Sequence, residues 1–144
     1  MKKMMFVVVM MMFACASFGV EVSEKLLRAI AQVESKGNDK AKGDYSKKTK
    51  EYRAIGKYQL WKIYIDDVNE FSKKKFTYND RWNAEKSKEI VIIYLKHYGR
   101  NYERKTGKKA TNEVLSRIHN GGPKGWQKKA TIKYWNKVRK ELMK

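Results

Sequence analysis

The stretch Arg28-Ala-Ile-Ala-Gln-Val-Glu-Ser-Lys-Gly37 organises the reading of this chain. Leu27, Ile30 and Ala31 precede Glu34 by seven, four and three positions, so on a helix the carboxylate continues an apolar stripe instead of pointing at water. Ser23 suits an N-cap and Gly37 a C′ residue, which places Glu34 in the last turn. Partial burial and the negative end of the helix dipole there both favour the protonated carboxyl, the form a general acid needs. An ion-paired surface glutamate is the ordinary alternative, and position alone does not separate the two.

The 144 residues are enough for one domain, and 42% hydrophobic with 12% aromatic residues can build its core despite the charge. The N-terminus reads as a separate object. Lys2 and Lys3 precede an apolar run from Met4 to Phe13, and Ala14-Cys15-Ala16 has the small-x-small form of a cleavage site. Residues 1–16 are therefore expected to be a secretory signal, with a second cut site at Gly19, and residues 20–144 the folded domain. Lipidation of Cys15 and an uncleaved anchor are weaker readings: Phe13 is too large for a lipoprotein signal, and 17 apolar residues are short for a span. Cleavage after Ala16 leaves no cysteine, so packing alone must stabilise the domain.

Without Lys2 and Lys3, 32 basic residues face 15 acidic ones, a net charge of +17. Such a field implies a polyanionic partner, and export selects an anionic cell wall or membrane surface over nucleic acid. The expected location is periplasmic, cell-envelope or secreted, and the expected state monomeric.

Residues 38–53 are polar and without sustained period, a loop with at most a small hairpin or sheet near residues 38–56. Leu60, Tyr64 and Val68, with Trp61 and Ile65 beside them, mark a buried helix; Lys73–Lys75 reads as a solvated loop. Asn79 or Asp80 is expected to cap a third helix carrying Trp82, Ile90, Ile93 and Tyr94, stopped by Gly99. Thr111 or Asn112 caps a short helix through Ile118, broken at His119-Asn-Gly-Gly-Pro123. From Trp126 onward Ala130, Tyr134, Trp135, Val138 and Leu142 mark a final amphipathic helix. The predicted fold is mostly α, a compact helical domain.

Three pieces stand in order: Glu34-Ser35 at a helix end, Gly56-Lys-Tyr-Gln59 entering a helix, and Asn120-Gly-Gly-Pro123 after another. Together they resemble the lysozyme-like superfamily (α+β), most nearly the catalytic domains of soluble lytic transglycosylases and goose-type lysozymes. Asp66-Asp-Val-Asn69 and Asp80-Arg-Trp82 look like small secreted or phage-associated members. The resemblance implies cleavage of the β-1,4 bond between N-acetylmuramic acid and N-acetylglucosamine in peptidoglycan; two histidines with no mature cysteine offer no zinc set, and with no phosphate-binding glycine loop no cofactor is expected. Glu34 matches the catalytic acid, which in transglycosylases then acts as base and closes a 1,6-anhydro ring. Ser35, Gly56, Tyr58, Gln59, His119, Asn120 and Gly121 match or adjoin the substrate-binding positions. Hydrolysis would enlist a second carboxylate, for which Asp44 and Glu51 stand in the loop. Goose-type enzymes carry an aspartate close before Gly-x-x-Gln, whereas here Arg53-Ala-Ile55 stands there. The expectation is therefore transglycosylase-like cleavage, with a hydrolytic muramidase or an inactive cationic wall-binding protein as alternatives. His119 stands where the resembled pattern has tyrosine.

Overall fold

The computed structural model describes residues 19–144; the expected signal segment and Cys15 lie outside the described residues. Five α-helices and one hairpin follow in order: α1 (Glu24–Ser35), β1 (Lys42–Ser46), β2 (Glu51–Ile55), α2 (Lys62–Phe71), α3 (Ala84–Thr106), α4 (Asn112–Gly121) and α5 (Ile132–Leu142). Short 3₁₀ turns at Tyr78–Trp82, Gly125–Gln127 and Lys129–Thr131 complete the chain. The fold is thus mostly helical with a two-stranded antiparallel sheet, as its patterning predicts.

Helix α1 begins where Ser23 Oγ accepts from the Leu26 N–H at 3.1 Å. It ends through Lys36, in the left-handed region at φ 56°, and Gly37, whose N–H donates to the Ala31 carbonyl. Its apolar stripe, Leu26, Leu27, Ile30 and Ala31, is buried. Leu60, Ile65, Ile90, Leu95, Leu115, Ile118 and Val138 complete the centre of the core, each contributing about 1.5–3 kcal/mol by leaving water. Helix α1 packs on α5, and α4 packs against both α3 and α5. This arrangement sets the end of α1 beside the end of α4.

The hairpin pairs Gly43 with Ala54 and Tyr45 with Tyr52. A turn at Gly56–Gln59 joins it to α2, and Arg81 holds this corner from below. Its buried guanidinium donates to the carbonyls of Tyr78, Arg53 and Leu60. Gly56, at φ 77°, lies so close to this corner that a Cβ would stand 2.0 Å from the Arg81 carbonyl oxygen. Gly56→Ala is therefore expected to cost about 2–4 kcal/mol, read by thermal denaturation as a fall in Tm of roughly 10 °C.

Several boundaries differ from the sequence reading. Helix α3 does not stop at Gly99 but runs seven residues further to Thr106, where Gly107 at φ 68° caps it. Gly99 is a packing glycine: a Cβ there would stand 2.8 Å from Val20 and 3.0 Å from Leu115. The cap of α3 is Asn83, whose side chain accepts from the Lys86 N–H, and Asp80 instead closes a reciprocal capping box with Thr77 on the preceding 3₁₀ turn. Trp82 consequently lies outside α3. Leu60 and Trp61 precede α2, with Trp61 at its N-cap, and Trp126 and Ala130 lie in the 3₁₀ turns before α5.

Candidate active site

Glu34 leaves the last turn of α1 with its side chain 18% exposed, and its Oε1 lies 3.5 Å from Nε2 of His119, itself almost fully buried at the end of α4. The other ring nitrogen, Nδ1, is 3.2 Å from the Tyr64 hydroxyl on α2. Tyr64 is stacked on Tyr94 of α3 with ring centroids 3.7 Å apart. Burial first, then the neighbouring Tyr94, Glu34 and Asp67, push the Tyr64 hydroxyl well above 10, so it remains an O–H donor. With Nδ1 turned to Tyr64, Nε2 is the ring nitrogen that faces the carboxylate. Four elements thus fix one carboxyl group.

Tyr134 on α5 completes the wall. Its hydroxyl is buried without a hydrogen bond of good geometry, yet burial, then the adjacent Glu34, push its pKa well above 10. It stands as a neutral donor held in reserve for the carboxylate. Removing it has a signed consequence. Tyr134→Phe removes a hydroxyl that faces Glu34 and keeps the ring, so kcat is expected to fall about tenfold with the fold retained. Because the hydroxyl is unpaired, Tm should hold or rise. A fall in Tm with unchanged kcat would remove Tyr134 from this role.

The groove in front of Glu34 has a volume of about 450 Å³. Asp44, Gln59, His119 and Asn120 line it together with Glu34, so five of the residues singled out from sequence converge on one space. Asp44 reaches it from β1 in the left-handed region, φ 51°, and Arg53 Nη2 donates to its Oδ1 at 2.8 Å. The Arg53 guanidinium lies over the Trp61 ring at 4.7 Å. Trp61 is 41% exposed, with one face toward the groove it lines. Gln59, also at positive φ, spends its amide N–H groups on the carbonyls of Gly56 and Ala41. Its carbonyl oxygen lies against Gly43, where a Cβ would stand 2.2 Å from it.

The remaining nominated residues do not line the groove. Ser35 Oγ donates to the Lys57 carbonyl at 2.7 Å, tying the end of α1 to the turn before α2. Gly56 serves the Arg81 corner. Tyr58 is a core residue, 3% exposed, with its hydroxyl pushed up to about 12 by burial and then by Glu24, Glu85 and Asp39. Gly121 gives room to Thr131, whose Cγ2 would stand 2.6 Å from a Cβ. Glu51 is exposed and paired with Lys62 at 3.0 Å.

Sequence reading missed Tyr134, Tyr94 and Asp67 as site residues. Asp67 lines the groove and accepts from the Tyr98 hydroxyl at 3.4 Å; burial, then Glu70, raise its pKa. The available signal was its spacing of three from Tyr64 on one helix face. Tyr134 read as core because a buried aromatic at helical spacing looks the same whether or not its hydroxyl meets a carboxylate. Among the described residues, no three His, Cys, Asp or Glu side chains gather as a metal set.

The Destabilase pattern matches residues 23–141. The chain belongs to the Destabilase family. It is 30% identical over 88 residues to a lysozyme of Ostrea edulis, covering 61% of this chain and 60% of that protein. A lysozyme of Magallana gigas is 38% identical over 47 residues, covering 33% of this chain and 34% of the other. The chain thus spans less than two thirds of these relatives' length. Among solved structures, the complex of Aeromonas hydrophila PliI with Meretrix lusoria lysozyme contains a chain with TM-score 0.67 and 25% identity, covering 85% of this chain and 92% of that one. Tapes japonica lysozyme gives TM-score 0.64 at 25% identity, covering 82% and 89%. The lysozyme-like fold is therefore established. The family reached is Destabilase, and these matches do not single out the soluble lytic transglycosylases or goose-type lysozymes.

Proposed function

We propose that this Destabilase-family chain is a lysozyme that hydrolyses the β-1,4 bond between N-acetylmuramic acid and N-acetylglucosamine in peptidoglycan. One observation carries the reading: Glu34 and a second carboxylate, Asp44, line the same open groove. Glu34 protonates the glycosidic oxygen as the bond breaks, and Asp44 supports the developing positive charge as nucleophile or as base for water. The imidazole, Tyr64 and Tyr134 hold the Glu34 carboxyl and exclude bulk water from its far side. Gln59 and Asn120 offer hydrogen-bonding groups to the sugars. The relatives named lysozymes support this choice.

Hydrolysis takes precedence over the transglycosylase-like route because Asp44 now shares the groove. The opposing observation is the Arg53–Asp44 ion pair, which occupies one oxygen of that carboxylate and would suit a single-carboxylate cleavage. Mass spectrometry of fragments released from purified peptidoglycan decides between them. Reducing ends are expected; 1,6-anhydro ends would overturn the hydrolytic reading. Retained wall binding without turbidity loss would support an inactive binding protein instead. The net charge of +17 that remains without Lys2 and Lys3 holds the enzyme, exported on its N-terminal segment and acting as a monomer, against an anionic wall.

A further inference from the structure

The charge of the groove is opposite to that of the chain. Although the sequence carries 34 lysines and arginines, none of them is among the described residues lining the groove, whereas three carboxylates are: Glu34, Asp44 and Asp67. Two of the three have partners inside the protein. Glu34 faces His119, and Asp44 takes Arg53. Asp67 has none of comparable strength. Among the described residues no lysine, arginine or histidine pairs with it, and the Tyr98 hydroxyl reaches its Oδ2 only at 3.4 Å. Its charged neighbours are mostly negative, Glu70 and Asp66 outweighing His97. Ile63 and Tyr64 stand with Asp67 on the groove side of α2. Tyr94 lies beside them in the groove, with the Tyr98 ring 4.6 Å from its own. A half-buried carboxylate with aromatic walls and no cation of its own attracts an incoming one more strongly than a solvated carboxylate does, because less water screens the pair.

We infer, resting on the peptidoglycan reading above, that Asp67 is a specificity-determining residue that pairs with a primary ammonium group of the substrate, so that the groove prefers wall fragments with a free amine to the same fragments N-acetylated. Two parts of that polymer can supply the ammonium: a glucosamine that has lost its N-acetyl group, and the free amino group of a stem peptide. The net charge of +17 without Lys2 and Lys3 disfavours a polycation, which the field of the chain repels. An isolated ammonium on an otherwise neutral or anionic polymer suits both the outer charge and the inner one. An N-acetyl group in the same place carries no charge and leaves Asp67 desolvated without a partner, which sets the discrimination.

The test is calorimetric binding in a Glu34→Gln background, which cannot cleave the ligand and removes Glu34 as a source of amine preference. One arm compares soluble glycan strands, partly de-N-acetylated, with the same strands re-N-acetylated. The other compares peptide-bearing wall fragments with a free peptide amine and the same fragments with that amine acetylated. In at least one arm the amine form is expected to bind about tenfold more tightly at low salt, and that arm identifies the source. Asp67→Asn should bring the two affinities to within about twofold of each other, while Asp67→Glu, which restores the charge, should keep a preference. A variant that merely disturbed the groove would weaken both forms alike and leave their ratio standing. Equal affinities in both arms, a ratio that survives Asp67→Asn, or one that Asp44→Asn abolishes would overturn the assignment to Asp67. Failure of the wild type to clear a wall suspension while the amine preference persists would instead overturn the cleavage reading and leave the role of Asp67 intact.

Discussion

Glu34→Gln is expected to lower the rate of turbidity loss of a peptidoglycan suspension by about 10²–10⁴-fold, the range for removing a general acid. The amide keeps the size of the side chain and an oxygen that can accept from Nε2 of His119, so the fold and wall binding should persist. A circular dichroism melt and a sedimentation assay with insoluble wall check that separation. The prediction is specific because Glu34 sits in the groove at the meeting point of α1, α2, α4 and α5. Unchanged activity would remove it from the mechanism. Loss of activity together with loss of the folded transition would show that the carboxyl is a structural member of the wall.

Asp44→Asn is expected to have the second largest effect, a loss of about 10²–10³-fold in kcat with little change in Tm. An amide can neither attack the anomeric carbon nor take a proton from water. The small thermal effect follows from exposure: Asp44 and Arg53 side chains are 39% and 48% exposed, and open ion pairs contribute less than about 1 kcal/mol. Arg53→Gln separates orientation from charge. It releases Asp44 from its partner and leaves Trp61 without its stacked guanidinium. A moderate fall in kcat, partly rescued by Arg53→Lys, marks Arg53 as a positioning residue. If Asp44→Asn retains full activity and the products carry 1,6-anhydro ends, Glu34 acts alone and the hydrolytic reading is wrong.

The two carboxylates differ in how they could be read. Glu34 was legible because a helix imposes its period on sequence: a carboxylate on an apolar stripe breaks the pattern, and the motifs at Gly56–Gln59 and Asn120–Pro123 turn that break into a candidate acid. Asp44 had no such frame. It lies in a polar stretch whose strand character is weak, and it enters the groove through a left-handed backbone that no side-chain pattern reveals. The absence of an aspartate immediately before Gly56 therefore pointed toward a single carboxylate, although the hairpin brings one back from twelve residues upstream of Gly56. His119 shows a related limit. Its place beside Asn120-Gly-Gly-Pro123 was visible, but its buried contacts with Tyr64 and Glu34 join residues 55 and 85 positions apart.

By itself the sequence determined the helical class, the N-cap of α1, the burial of its stripe and the convergence of the Glu34, Gln59 and Asn120 segments, because these follow from local periodicity and turn chemistry. Tertiary structure alone decided which glycines serve packing, which tyrosine faces the carboxyl and that Asp44 and Asp67 share its groove. Gly99 and Gly56 look alike in sequence, as one-atom side chains in plausible stopping places, and differ in backbone, left-handed only at Gly56, and in what a Cβ would strike. Likewise Tyr58 and Tyr134 are both buried aromatics, yet only Tyr134 faces Glu34. Such assignments depend on which distant atoms share a space, and that information appears only when the chain has closed around its core.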